Sequence, residues 1–420
     1  MLPFFSIVVG VILIPICLEF GFYPIIPDTI LDYRTTKDFL AVFFCLMTIL
    51  GTFSRGVKIR GVSVWINILV VYCCIHHFLV PQLEFPERAS NIIVNLWQYK
   101  PIVYILIYYL FFLSVRSFCW HKQYVEIVLR VMMWVGLTSA IYLIMQRLGL
   151  DSAQHLSSAS ANPDAQFTTA GQMSSFLTHP NYAGAFIAMC LPTAIYFRRW
   201  LYGGLMFLAV IFSGSCFAIT AMCFGLFIYS WFYFYKKRTQ IVGIVLILGM
   251  IFCWMCLIGR LWIPSDSGRF LVWREMWEDV RARPIFGYGL GSFRLLFPLL
   301  HGSRFTEAHN EFFQLIYETG FVGGLIFLKC IVDFVKQCVL KVTQYDSPPE
   351  INLAMFSMLC IILLSSLGLF VWQIEPHRFY TVLIVGILTN LNSRKEREEN
   401  EKEYSFDGSC GVVPVVPVCA

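Results

Sequence analysis

The chain has 420 residues, 58% hydrophobic, 17% aromatic and only 14% charged, with a formal net charge of +5 and a mean hydropathy of +0.69. Soluble domains carry about 25% charged and about 45–50% apolar residues. A water-solvated enzyme, a disordered chain and a nucleic-acid-binding module are therefore excluded, and the charge gains meaning only once it is divided between the two sides of a membrane.

A spanning helix needs ~20 mostly apolar residues. Twelve stretches answer to this: about 3–26, 37–54, 61–80, 101–118, 123–149, 178–197, 200–214, 215–235, 239–260, 311–335, 351–372 and 378–392. The pair 200–214 and 215–235 is the least distinct, since Ser213-Gly214-Ser215 reads as a kink or as a turn. The first stretch lacks a basic leading region and contains Glu19, so a retained span is expected rather than a cleaved signal peptide.

Cytoplasmic loops are enriched in Lys and Arg. With the N-terminus inside, the connections after even-numbered spans carry Arg55, Lys58 and Arg60, then Arg116 and Lys122, Arg198 and Arg199, Lys236 to Arg238, Lys336 and Lys341, and Arg394 onward. The short connections on the other side hold only Arg34, Lys37, Arg88, Lys100 and Arg378, and 150–178 holds no Lys or Arg. Twelve spans with both termini cytoplasmic fit this distribution, which also favours splitting 200–235 in two. The expected organisation is an N-terminal membrane part (1–174), a membrane core (175–392) with an outside loop at 261–310, and a disordered cytoplasmic tail (393–420).

The loop 261–310 departs from the pattern, because it lies outside yet carries Arg269, Arg274, Arg281, Arg283, Arg294 and Arg304 and no Lys. Long loops cross regardless of charge, so the arginines point to chemistry. None of the 15 cysteines lies in 150–178 or 261–310; they read as apolar fillers, not as a disulfide framework.

Within the loop, 266–283 is predicted to be a helix, capped by Ser265, Asp266 or Ser267 and ended by Pro284. Phe270, Trp273, Trp277 and Val280 would form its apolar face. Such a helix either lies on lipid headgroups or forms part of a working surface. Gly287-Tyr288-Gly289-Leu290-Gly291 lacks the βαβ setting of a dinucleotide loop, so it reads as a tight turn, with backbone approach to a phosphate left open. Thr306 is the expected N-cap of the tenth span. That would place His309 in the first helical turn, where free N–H groups favour an anion and keep a nearby imidazole neutral and able to act as a base; the alternative is an interfacial hydrogen-bonder. At the start of the sixth span, in His179-Pro180-Asn181-Tyr182, Asn181 either caps the helix or bonds a sugar. His155, His179, His301 and His309 show no i, i+4 pair, no companion cysteine and no HExxH, so no metal site is expected.

Arg is the fork-shaped, permanently charged donor for phosphate oxygens. Several arginines and one histidine at the membrane surface suit a lipid-anchored diphosphate whose departure Arg stabilises, while the imidazole takes a proton from an acceptor hydroxyl.

At these residues the chain resembles the O-antigen ligase and O-antigen polymerase superfamily of bacterial membrane glycosyltransferases. The matching pieces are Thr178-His179-Pro180-Asn181-Tyr182-Ala183-Gly184, Ser267-Gly268-Arg269 with Trp273, Pro284 to Phe293, Ala308-His309-Asn310-Glu311-Phe312, and Glu318-Thr319-Gly320. The resemblance covers about 175–330. It implies an all-α polytopic protein of about twelve transmembrane helices in the bacterial inner membrane. The activity implied is metal-independent, cofactor-free and inverting. The donor would be an undecaprenyl-diphosphate-linked glycan at the periplasmic face, and the acceptor lipid A core (a ligase) or a growing glycan (a polymerase). His309 corresponds to the family's catalytic loop histidine, as proton acceptor for, or orienter of, the acceptor hydroxyl, and Arg269 to its diphosphate-contacting arginine. Arg304, Arg294, Arg274, His179, Asn181 and Asn310 are candidate substrate contacts. One departure stands out: where many members carry a Ser-Arg pair, this chain reads Ser213-Gly214-Ser215-Cys216. A twelve-span transporter is the competing class, but transporters place charges near the midplane, and here Glu19, Glu126 and Arg130 are the nearest cases. A non-catalytic scaffold would leave the Arg and His loop unexplained.

Overall fold

The computed structural model describes residues 2–16, 35–53, 63–80, 92–150, 175–177, 179–234, 269–302, 307–344, 350–369 and 375–390. Among them every regular element is helical: α1 (Leu2–Ile16), α2 (Thr35–Phe53), α3 (Val64–Leu79), α4 (Ile92–Ser117), α5 (Lys122–Arg147), α6 (Pro180–Tyr196), α7 (Trp200–Phe212), α8 (Cys216–Phe234), α9 (Arg269–Ala282), α10 (Ser292–His301), α11 (Glu311–Gln344), α12 (Glu350–Ser365) and α13 (377–390). Four of them, α4, α5, α8 and α11, contain apolar stretches long enough to cross a membrane. A helix carries all its backbone bonds internally, which is the condition for crossing lipid. Eleven of the twelve expected stretches overlap described helices; the ninth (239–260), the cap residues 265–267 and the tail lie outside the described residues, as does 17–26 of the first stretch with Glu19.

α6 is the central helix. It packs on α5, α7, α8 and α12 and is buried from Tyr182 to Ala194, in keeping with a helix that is apolar all round. Close approach is built into its sequence: a Cβ at Gly184 would lie 2.5 Å from Ser213 Oγ. The ambiguous stretch 200–235 is two helices. The chain turns at Gly214 with φ 68, and Ser215 Oγ caps α8 by accepting from Ala218 N at 3.3 Å. The left-handed backbone at Gly214 strongly favours glycine.

The helix ends gather into two groups. At one end, Lys37 Nζ donates to Phe176 O at 2.5 Å, Ser175 N to Gln146 Oε1 at 2.8 Å, and Tyr182 OH to Glu307 Oε2 at 2.8 Å. There too Glu311 N donates to Ser366 O at 3.0 Å and His377 Nε2 to Tyr182 O at 3.1 Å. At the other end Phe4 packs on Phe118, Trp120 and Tyr124, Tyr196 OH donates to Glu126 Oε1 at 3.0 Å, and Asn390 Nδ2 donates to Phe118 O at 2.9 Å. Each group contains the helix termini that the charge distribution assigns to one side. Glu126 pairs with Lys122 at 3.8 Å, and Arg130 lies 5.2 Å from the Phe197 ring centroid, so both belong to that second end and not to mid-bundle.

α9, the following turn and α10 form a small apolar core with the start of α11, built from Val272, Met276, Val280, Tyr288, Phe293, Leu296, Phe297, Ala308 and Tyr317. α9 is described from Arg269, the predicted residues 266–268 lying outside the described ones, and it ends one residue before the predicted end. Its buried stripe is Val272, Met276 and Val280, spaced i, i+4, i+8. Of the expected face, Val280 lies on this stripe and Trp273 and Trp277 lie beside it, while the Phe270 side chain lies outside the described residues. The two tryptophans flank the stripe, where each finds a ring partner on α11: Trp273 stacks on Phe313 at 6.2 Å and Trp277 meets Phe321 edge-on at 6.2 Å.

The glycine-rich turn locks into a break in α11. Gly320 has φ 67 and ψ −176, which interrupts the helix and frees carbonyls before it and amides after it. The turn takes up these groups. Tyr288 N donates to Tyr317 O at 3.0 Å, Gly289 N to Glu318 O at 2.8 Å, Phe321 N to Pro284 O at 2.8 Å and Val322 N to Ile285 O at 3.4 Å. Gly287 and Gly320 make this approach possible: a Cβ on either would lie 2.4 Å from Tyr317 O or 2.1 Å from Ile285 O. The predicted tight turn is therefore present. Its last glycine amide does not await a phosphate, because Gly291 N donates to Glu318 Oε2 at 2.8 Å.

Candidate active site

The short segment 307–310, between α10 and α11, brings together most of the motifs singled out in the sequence. Asn310 is the N-cap of α11: its Oδ1 accepts from Phe312 N at 3.1 Å and Phe313 N at 3.0 Å. The expected cap, Thr306, lies outside the described residues, and the helix starts at Glu311. His309 therefore sits just before the cap and not in the first turn. It is half-buried and has φ 52, a left-handed backbone uncommon for a residue with a side chain.

The neighbours of His309 are tied down one by one. Glu307 accepts from Tyr182 OH. Ala308 N donates to Gln314 Oε1 at 3.2 Å, and Ala308 O accepts from Trp273 Nε1 at 2.7 Å. Asn310 Nδ2 donates to Leu367 O at 2.9 Å. Gln314 is itself held, its Nε2 donating to Glu318 Oε1 at 3.0 Å. A relay thus runs from the glycine turn through Glu318 and Gln314 to the amide beside His309, and α6, α9, α11 and the end of α12 all contribute contacts. A left-handed non-glycine residue costs of order 1–3 kcal/mol and persists only where surrounding structure over-determines it, which is typical of active sites.

His179 is the N-cap of α6, its Nδ1 accepting from Asn181 N at 3.1 Å. In the neutral ring this leaves the proton on Nε2. Pro180 follows at the first helical position, where its missing N–H costs nothing. Of the two readings of this motif, capping belongs to His179 and not to Asn181, which is half-buried. Tyr182 carries the motif across to Glu307, so the segments around 180 and 309 meet.

The arginines divide. Arg269 is the first residue of α9; its side chain and all of Arg304 lie outside the described residues. Arg274 is exposed and Arg294 half-buried. Arg281 and Arg283 are held over aromatic rings, 5.6 Å from the Trp277 centroid and 5.0 Å from that of Tyr288. His301 is engaged structurally, its Nε2 donating to Asp279 Oδ2 at 2.9 Å.

Sequence reasoning missed Tyr182, Glu307, Gln314 and Glu318 as parts of the site. Glu318 lay inside a quoted motif without a role. An acidic residue on an apolar helix, seven positions after another, was the available clue, since such groups are costly in a membrane.

Residues 201–328 match the family model described as O-antigen ligase. The match runs from α7 to the middle of α11 and includes the α9 helix, the glycine turn and His309. Over that part the chain is similar to the O-antigen ligase family, and with the apolar helices this indicates a multi-pass membrane protein. A search among curated proteins gives no match.

Proposed function

We propose that the chain is a metal-independent, inverting glycosyltransferase of the inner membrane. On this reading twelve spans place both termini in the cytoplasm and the 261–310 segment at the periplasmic face. The donor is an undecaprenyl-diphosphate-linked glycan, and the acceptor is a hydroxyl on lipid A core, as in an O-antigen ligase. Growth of a glycan by a polymerase of the same superfamily is the alternative acceptor choice.

His309 takes the proton from the acceptor hydroxyl. The acceptor oxygen forms its bond to the anomeric carbon from the face opposite the diphosphate. The carbon–oxygen bond to the diphosphate breaks, and the diphosphate leaves with the electron pair. Arg269, with Arg304, Arg294 and Arg274, balances the negative charge that grows on it. His179 and Asn181 contribute glycan contacts at the start of α6. Asn310 serves by holding the loop, since both ends of its amide are engaged.

The observation that carries this reading is the conformation of His309: a half-buried imidazole on a left-handed backbone, with fixed neighbours on both sides. Charge far from mid-bundle, at Glu126 and Arg130, argues against the transporter alternative. The test is transfer by the purified protein from an undecaprenyl-diphosphate-linked repeat unit to lipid A core. His309→Ala is expected to abolish transfer while membrane insertion and melting temperature stay near those of the unaltered protein; undiminished transfer would overturn the assignment. In cells lacking the protein, accumulated lipid-linked polymer supports the ligase, and accumulated single repeat units support the polymerase.

A further inference from the structure

Tyr182 and Glu307 are 125 positions apart, yet the Tyr182 hydroxyl donates to Glu307 Oε2 at 2.8 Å with both residues buried. The tyrosine is fixed at three points. Its carbonyl accepts from His377 Nε2 on α13. Its ring lies 5.2 Å from that of His179. Its backbone is the third residue of α6, the most enclosed helix of the bundle. Glu307 lies two residues before His309, in a segment that is also held from α9, from α11 itself and, through Asn310, from Leu367 after α12. The phenol–carboxylate bond ties this segment to α6.

A buried hydrogen bond to a carboxyl group is costly to open, because the group gives up a donor that water does not replace. Movement of about 1 Å at a reacting group costs up to ~10²-fold in rate. A hold two residues from the imidazole has that leverage.

We propose that Tyr182 and Glu307 are positioning residues for His309: the Tyr182 hydroxyl, through Glu307, registers the imidazole against the α6 motif, so that α6 acts on the chemical step as well as on glycan binding. The proposal rests on His309 being the proton acceptor. It makes the phenolic oxygen a functional atom of the α6 motif.

The test uses the full-length protein in lipid nanodiscs, with an undecaprenyl-diphosphate-linked repeat unit as donor and lipid A core as acceptor. Tyr182→Phe removes one oxygen and is expected to lower kcat about 10- to 100-fold, with KM for the donor unchanged within about twofold. Glu307→Gln keeps a carbonyl oxygen that accepts from the phenol and is expected to recover most of the rate, whereas Glu307→Ala falls to the level of Tyr182→Phe. The Tyr182→Phe/Glu307→Ala double variant is expected to be no slower than either single one, since the bond is already lost in each. Melting temperatures separate this from unfolding: a variant that melts with the unaltered protein and loses kcat supports the latch. Overturning results are a Tyr182→Phe rate within about twofold of the unaltered one, or rate losses that multiply in the double variant. His309→Ala runs in parallel. If it transfers normally, the function proposed above fails; if it is inactive while Tyr182→Phe is fully active, only the latch fails.

Discussion

At the scale of single residues, a side chain expected to contact substrate also has a structural task. Asn310 is a helix cap with its amide engaged at both ends. Asn310→Ala is therefore expected to lower stability by about 1 kcal/mol for the cap alone, with more from the lost bond to Leu367 O, read as a fall in melting temperature. If its part were sugar recognition, melting would hold and KM would rise. Arg269 stands at the opposite pole, since its proposed part is chemical. Arg269→Lys keeps the charge but loses the planar fork that makes two parallel bonds to phosphate. Transfer is expected to drop strongly, and near-unaltered kinetics would argue for simple charge. Charge and residue type were legible in the sequence at both positions. Which polar atoms are spent on the backbone was not, because caps depend on where a helix begins, and α11 begins at Glu311 and not after Thr306.

At the scale of elements, the glycine turn and the break in α11 make one unit. Each supplies what the other lacks: the break exposes carbonyls and amides, and the turn saturates them. Within a membrane protein such groups cannot be left unpaired. Gly320→Ala therefore meets two penalties. The backbone at φ 67 and ψ −176 is open essentially to glycine alone and costs about 1–3 kcal/mol for another residue, and the added Cβ would collide with Ile285 O at 2.1 Å. A large fall in melting temperature is expected, together with loss of activity, because the unit also holds Glu318 and Gln314 beside the His309 loop. A stable, active Gly320→Ala protein would show that the interlock is dispensable. The turn itself was legible from its glycines, as was the helix before it. The place of Trp273 and Trp277 beside the α9 stripe was not, because aromatic residues at helical spacing suit a flank as well as a buried stripe; only the position of Phe313 and Phe321 on α11 decides between them. The two helices at 200–212 and 216–234 were legible only with help from charge placement, and Gly214 supplies the physical reason.

At the scale of the whole molecule, the end of the bundle that carries His309 also carries a buried charged group binding three helices. Glu375 stands just before α13; Tyr108 on α4 donates to its carboxylate, and Arg378 on α13 lies 3.6 Å away. The Arg378 guanidinium lies over the rings of Tyr104 and Tyr108, and α2 contributes Asp38, paired to Lys100 at 3.3 Å, and Cys45. Burial pushes the Glu375 carboxyl up from 4.5 to about 7; the Arg378 charge opposes this and the Asp38 charge adds to it. In the unfolded chain the same carboxyl titrates near its ordinary 4.5. Between these values the Glu375 carboxyl holds more proton in the folded protein than in the unfolded one, so its contribution to stability is full at the acid end, falls as pH rises from about 4.5 to about 7, and levels off above. Melting of the detergent-solubilised protein across that window should show the decline. Glu375→Gln, which fixes the neutral form, should make the decline shallower; a slope unchanged in that variant would assign the pH dependence to another group. Glu375 bonds Tyr108 on α4 and pairs with Arg378, whereas the bonds that hold the His309 loop come from α6, α9, α11 and the residues after α12. Transfer measured at a temperature where both proteins are folded is therefore expected to keep its pH profile, which separates the group that sets stability from the group that moves the proton.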